Sequence, residues 1–400
     1  RDVGGAPEGI LAFNVTNAEN VTIKNCLITH WRGAINFTNS NTSTVVNNTI
    51  GNQFDNIRST GIYMNNLSYK ENITNNTLNN ITDRGIWIYG LVGTTATVSN
   101  HSITYNNITN IGPSGYAGIF VNISSYNTIY SNVLSNTPAA ITLWHVGFST
   151  TNSSFNNITN NTIRSGGGIF IDGYCSYNNI TSNTIANNAS ISATLYSVYN
   201  TINKNTISNS SNPGINILGS NNTIRDNVIY NTTYGIQLSS SANRNVIENN
   251  TAYNNTVAGI ALNSGQTAGS GYNNITNSDL DNNPRGIYLL NTSTSNRIIN
   301  ATIYNSTYCG VCLTSIGNTT ASNVTINASQ YGVFVEGSSD TNFTNLSIYS
   351  STIWDFISNG TSARNIITNM TFNNSATNFT YAAPINIKYS SGSGLTDPFG

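Results

Sequence analysis

The chain has 400 residues, of which 38% are hydrophobic and 7% charged, with a formal net charge of −1. So little charge leaves no electrostatic footprint for a nucleic acid or an anionic membrane surface. No run is long and apolar enough to cross a bilayer as a helix. High polarity can mean disorder, but here Ile, Val and Leu fall at regular positions and supply a core.

In chain order, one phrase returns: a glycine, an aliphatic, any residue, another aliphatic. It stands at Gly61-Ile62-Tyr63-Met64, Gly85-Ile86-Trp87-Ile88, Gly118-Ile119-Phe120-Val121 and Gly168-Ile169-Phe170-Ile171. It continues at Gly235-Ile236-Gln237-Leu238, Gly259-Ile260-Ala261-Leu262, Gly286-Ile287-Tyr288-Leu289 and Gly332-Val333-Phe334-Val335, with weaker copies at Gly33, Ala140, Gly214 and Gly310. Copies are mostly roughly 21 to 28 residues apart, the spacing of a solenoid. An Asn-rich phrase lies between them, as in Asn156-Asn157-Ile158-Thr159-Asn160-Asn161-Thr162-Ile163. Each repeat alternates with the two-residue period of strands, and Asn and Gly break the strands at corners that need left-handed backbone.

Three short strands per turn predict an all-β parallel β-helix of about fifteen coils. It is expected as one continuous domain over residues 1–374, with 375–400 as a C-terminal strand and tail acting as a cap or inter-subunit contact. At the usual strand spacing this would be a rod of about 70 Å. Asn at successive corners would bond along it. A leucine-rich repeat has a similar period but needs more Leu, one Asn per repeat and often helical segments. The phrases N-x-I-x-x-N-x-I and G-I-x-L resemble the right-handed parallel β-helix repeats of the pectate-lyase-like superfamily, above all the Asn-rich NosD type, over about residues 9–372. The resemblance implies the fold; the superfamily includes lyases, hydrolases, epimerases, tailspikes and surface proteins, so it implies no single activity.

In enzymes of that superfamily the substrate lies along the outer face of the glycine-led strand, and acids, with bases or calcium, do the chemistry. Of the outward positions of that strand only Asp172 and Glu336 are acidic, about seven coils or roughly 30 Å apart, too far for a dyad. No catalytic residue is therefore expected. Asp279 and Asp281 flank Leu280 on one strand face and are the candidates for a calcium site; a solvated pair neutralised by Arg285 is the plainer reading. Asp83-Arg84 and Asp55 with Arg58 read as corner salt links. His30, His101 and His145 are isolated in the repeat, and two methionines, Met64 and Met370, are too few for copper. Cys26, Cys175, Cys309 and Cys312 make no disulfide framework; Cys309 and Cys312 read as strand residues or a local disulfide.

The outward aromatics are the informative feature. Tyr63, Trp87, Phe120 and Phe170 are expected on one face of neighbouring coils, flanked by Tyr89 and Trp144, with a second group at Tyr288 and Phe334. They suit a sheet-stabilising ladder and equally an interface or a glycan contact. Roughly 35 N-x-S/T sequons mark an extracellular or cell-surface glycoprotein, with an archaeal lean; candidates include Asn14, Asn20, Asn36, Asn66, Asn72, Asn80, Asn107, Asn122, Asn157, Asn179, Asn231, Asn274, Asn291, Asn305, Asn345 and Asn378.

No leader precedes Arg1, so the sequence reads as a mature or truncated form, and its uncapped ends read as flanking domains or end-to-end contacts. The sequence alone favours a non-enzymatic structural subunit that self-associates into a filament, sheath or surface layer. The alternative is a polysaccharide-binding or polysaccharide-cleaving β-helix; a tailspike or adhesin domain is the third reading.

Overall fold

A computed structural model of the chain describes residues 11–51, 59–65, 67–90, 98–112, 116–145, 152–263, 269–291, 293–373, 379–381 and 385–391. Within them every regular element is a strand. The chain falls into two compact units, Arg1–Ile207 and Ser208–Gly400.

In the first unit, the glycine-led segments form strands Leu11–Thr16, Gly33–Thr38, Thr60–Asn65, Arg84–Tyr89, Ala117–Asn122, Ile141–Trp144, Ile169–Ile171 and Ile191–Ala193. Each pairs in parallel with the next. The Asn-rich phrase supplies two shorter strands per coil, such as Asn157–Thr159 and Thr162–Ile163, stacked in the same order. Three strand rows per coil thus enclose a core. In the second unit, Ile215–Ile217, Tyr234–Ser239, Ala258–Asn263, Arg285–Leu290, Cys309–Thr314, Tyr331–Glu336, Trp354–Asn359 and Phe379–Tyr381 repeat the pattern. Strand Asn365–Asn373 there pairs with Ile385–Ser391.

Alternation fills the interior with like residues stacked on like. Ile62, Ile86, Ile119, Ile141, Ile169 and Ile191 share one register and are fully or almost fully buried. One coil cannot hide this face by itself; stacking removes it from water at about 1.5–3 kcal/mol per large aliphatic side chain.

The paired asparagines split into two roles one residue apart. The first of each pair takes the left-handed backbone, as at Asn75 (φ 56) and Asn160 (φ 58), and faces solvent. The second points inward. Asn48, Asn76, Asn106, Asn132, Asn161, Asn183 and Asn205 form a buried ladder in which each Nδ2 donates to the next Oδ1 at 3.0 Å. The same Oδ1 atoms accept the backbone N–H of the preceding ladder residue. Corners that strand pairing leaves open are thereby satisfied.

The repeat glycines do a different job from the one expected. At Gly61, Gly85, Gly118, Gly235, Gly259, Gly286, Gly310 and Gly332 no left-handed φ occurs; space is the constraint. A Cβ at Gly85 would sit 2.5 Å from Gly118 O and 2.9 Å from Ile108 Cγ2. Gly85→Ala is expected to cost about 2 kcal/mol, read as a lower urea midpoint, because neither backbone nor core can yield without moving a coil.

Candidate functional site

In the first unit, register places Asn36, Tyr63, Trp87, Phe120, Thr142 and Phe170 in one row across the outer face of the glycine-led sheet. Tyr63 stacks on Trp87 at 4.4 Å between ring centres, and Tyr89 meets Trp87 edge-on at 5.5 Å. Phe120 lies 6.3 Å from Trp144, which is 37% exposed. The row is unevenly exposed: Phe120 is 4% exposed, and Thr142 separates it from Phe170. The physical cause is a side chain that the sequence places in a corner salt link. Arg84, 7% exposed, spreads its guanidinium 4.1 Å from the Trp87 and Tyr116 ring centres and 4.8 Å from Phe120. It also makes an ion pair with the buried Asp83, so this pair belongs to the site and not to a solvated corner. Asp55 and Arg58 lie outside the described residues.

The polar atoms buried in this site without a hydrogen-bond partner include Trp87 Nε1 and Oδ1 of Asn122, whose strand position aligns with Tyr89 and Trp144. Burial pushes the Tyr63 hydroxyl pKa above its ordinary value, against the lowering effect of its bond to Asn65, so it stays protonated near neutrality. Asp172 accepts from Gly173 N at 2.8 Å and Thr194 Oγ1 at 2.7 Å.

The second unit has its own cluster. Tyr288 and Phe334 share a row but are separated by Cys312. Each has other partners: Arg285 lies 4.6 Å from the Tyr288 ring centre and 5.0 Å from Tyr308, while Phe334 packs with Tyr308 at 5.7 Å and Tyr331 at 5.6 Å. Cys309 and Cys312 form a disulfide within this sheet. The expected neutralisation of Asp279 and Asp281 by Arg285 is absent among the described residues. Asp281 instead takes the amides of Asn282 and Asn305 at 3.1 and 3.2 Å. Both aspartates do flank the inward Leu280, and no third acid, His or Cys joins them among the described residues.

Other expected residues land in varied surroundings. Asn14, Asn20, Asn80, Asn107, Asn179, Asn231, Asn291, Asn305 and Asn345 are exposed; Asn72, Asn157 and Asn274 are half-buried. Asn36 and Asn122 are 8% and 5% exposed, and Asn36 Nδ2 donates to Asn14 Oδ1 at 2.8 Å, so strand packing withdraws both from modification in the folded chain. Asn66 and Asn378 lie outside the described residues.

One surface feature was legible but unread. Tyr126, Phe155, Tyr177 and Tyr199 stack with ring centres 5.1 Å apart and planes within 9°. All four occupy left-handed corners, a conformation that bulky residues rarely adopt. Their signal is the phrase aromatic-Asn-x-Ile, at Tyr126-Asn127-Thr128-Ile129, Phe155-Asn156-Asn157-Ile158, Tyr177-Asn178-Asn179-Ile180 and Tyr199-Asn200-Thr201-Ile202. The rings stack face to face along the corners, which stabilises them, and remain 47–56% exposed.

A sequence model described as the right-handed β-helix region matches residues 8–112, 96–229 and 194–303, and one described as the periplasmic copper-binding protein NosD matches 259–396. The donors for copper do not fit. Met64 and Met370 are 0% and 1% exposed, Cys309 and Cys312 are bonded to each other, and burial pushes the Cys175 thiol up to about 12. No curated protein sequence matches the chain. Among solved structures, it is similar to the tailspike protein of E. coli bacteriophage HK620 in complex with a pentasaccharide, at 12% identity and a TM-score of 0.51, covering 87% of this chain and 74% of that one. It is also similar to the mannuronan C-5 epimerase A-module of Azotobacter vinelandii, at 13% identity and a TM-score of 0.49, covering 84% and 91%. Identities this low speak to fold alone. The parallel strand rows and the family match over residues 8–303, about three quarters of the sequence, agree: the chain belongs to the right-handed β-helix family.

Proposed function

We propose that this protein is an exported glycan-binding β-helix whose ligand lies across the outer face of the glycine-led sheet in the first unit. The observation that carries this reading is the Tyr63–Trp87–Tyr89 group, joined through Arg84 to Phe120 and Trp144. Sugar rings present apolar C–H faces that pack on half-exposed aromatic rings, and their hydroxyls need fixed polar partners. Trp87 Nε1 and Asn122 Oδ1 are buried beside these rings without a partner of their own. The fold relative with a bound pentasaccharide supports this reading over the self-assembling filament expected above. The match to a periplasmic family and the exposed sequons support export.

Binding is favoured over cleavage. Of the described carboxylates near this face, Asp83 is committed to Arg84, and Asp172 accepts from Gly173 and Thr194. Neither is held as the acid or the base of a cleaving pair.

The test is affinity electrophoresis against a panel of neutral and acidic polysaccharides. At least one should retard the wild-type chain, and Trp87→Ala should weaken that retardation about tenfold or more. A chain that no polysaccharide retards would overturn the reading, as would a Trp87→Ala variant that binds like wild type.

A further inference from the structure

Arg84 and Arg285 occupy the same place in the repeat, directly before the glycine of Arg84-Gly85-Ile86-Trp87 and Arg285-Gly286-Ile287-Tyr288. Each lies over aromatic rings of its own and the following coil. Their charge states of pairing differ. Arg84 is neutralised by Asp83. At Arg285 the preceding residue is Pro284, which carries neither charge nor amide hydrogen. No ion pair to Arg285 occurs among the described residues, and its Nε is buried without a hydrogen-bond partner.

The nearby acids do not supply the missing charge. Asp281 is held by two asparagine amides. Glu336 is at the far end of its strand: Tyr331 of that strand is in register with Cys309, and Cys309 with Arg285. Five residues along and two strands across put the two backbones roughly 19 Å apart; the Glu336 charge acts on the Tyr288 and Tyr308 hydroxyls, but it makes no ion pair with Arg285 among the described residues. The Tyr288 and Tyr308 hydroxyl pKa values are raised, by burial first, so the rings flanking the guanidinium stay neutral. A half-buried cation between neutral rings is costly to leave unpaired and is ready to take an anion.

The turns that lead into the next glycine-led strands, Cys309–Thr314, Tyr331–Glu336 and Trp354–Asn359, leave room for the rest of a ligand. A hollow of about 430 Å³ is lined by Asn305, Thr307, Gln330 and Thr352, with Ser306 and Ser329 in its wall. It lies where the inner amide ladder stops. Thr232, Asn255 and Asn283 bond from coil to coil, but the next residues in the column are Ser306, Ser329 and Ser351, all buried with unpartnered Oγ atoms. Thr307 and Gln330 immediately precede Tyr308 and Tyr331, the rings that pack beside Arg285 and on Phe334.

We propose that the second unit carries its own subsite, in which Arg285 pairs with the anionic group of an acidic sugar residue while the hollow's amides and hydroxyls meet neutral hydroxyls. This rests on the glycan-binding reading and adds to it a second site and a charge preference. The probes are a polyuronate, the same polymer after carboxyl reduction, and a sulfated galactan, measured by affinity electrophoresis at low salt. Wild type should bind an anionic polymer about tenfold or more tighter than the carboxyl-reduced one. Whether the uronate or the sulfate arm shows the preference identifies the anion. Arg285→Gln should erase the preference and leave binding to the neutral polymer unchanged, and Arg285→Lys should restore it in part. Trp87→Ala, in the other unit, should weaken binding while keeping the charge preference. Equal wild-type binding to the acidic and neutral polymers would overturn the subsite and leave the glycan-binding reading standing. Failure to bind any of the three, when other polysaccharides in the panel are bound, would overturn the subsite alone. An Arg285→Gln variant that keeps the preference, with an unchanged circular dichroism spectrum, would equally overturn it.

Discussion

Asn76→Ala is expected to lower the stability of the first unit by about 3 kcal/mol or more, whereas Asn75→Gly, one residue earlier, should change it by under about 0.5 kcal/mol. Asn76 is 1% exposed and its Oδ1 accepts both the backbone N–H and the Nδ2 of Asn48 at 3.0 Å. Its Nδ2 donates to Val45 O at 2.9 Å and to Asn106 Oδ1 at 3.0 Å. Alanine would orphan a buried amide hydrogen and a buried carbonyl and open a small void, and no water can reach them cheaply. Asn75 sits at φ 56 in solvent, with one outward bond to Asn47, and glycine adopts that backbone freely. Urea midpoints of the two variants check this; equal losses would show that the inner ladder is not what holds the corner.

The second large effect is a pH dependence built into the neighbouring ladder. That column runs Ser43, Glu71, His101, Asn127, Asn156, Asn178, Asn200, so an acid and an imidazole replace two amides. Glu71 Oε2 accepts Ser43 N–H at 2.7 Å, and His101 Nδ1 accepts Glu71 N–H at 3.2 Å, which leaves the imidazole proton on Nε2. Both side chains are 1% exposed, and Glu71 Oε1 and His101 Nε2 have no partner. Burial, partly opposed by the bonds from Ser43 and Ser40, raises the Glu71 pKa from 4.5 to about 7. Burial lowers that of His101 from 6.5 to about 3. The folded chain therefore holds the Glu71 proton more tightly than the unfolded chain does. Its contribution is complete below pH 4.5 and is lost as pH rises through about 7, up to about 3 kcal/mol. For His101 the sign is opposite: neutral imidazole is favoured, and stability is lost as pH falls from 6.5 toward 3. Glu71→Gln should thus stabilise the protein relative to wild type at pH 8.5 and have little effect at pH 4.5. His101→Asn, which restores the residue of the coils above, should stabilise it at pH 4.5. Urea midpoints at the two pH values decide; a Glu71→Gln difference that does not change with pH would refute the assignment.

Much of the fold was legible because a coil's rules are local. Alternation along Asn157–Thr159 and Thr162–Ile163 tells which side chains turn inward, and the asparagine at each corner marks where the strand stops. The phrase aromatic-Asn-x-Ile was equally local and could have disclosed the exposed ring ladder. The functional site was legible only in part. Tyr63, Trp87 and Phe120 could be placed on one face, but their exposure could not, because it depends on Arg84, whose side chain covers rings from two coils. The glycine phrase was visible, yet its cause was not a local backbone preference but the carbonyl of the next coil.

By itself, then, the sequence determined the strand period, the inward rows and the corners, since each follows from the conformation and polarity of adjacent residues. Only the tertiary structure decided which residues face each other between coils. Coil lengths vary, so that Asn48 meets Asn76 28 residues on, Asn76 meets Asn106 30 residues on and Asn161 meets Asn183 22 residues on. Register is fixed by burying like on like in the core, and that packing is what lays the Arg84 and Arg285 guanidiniums over rings of two successive coils.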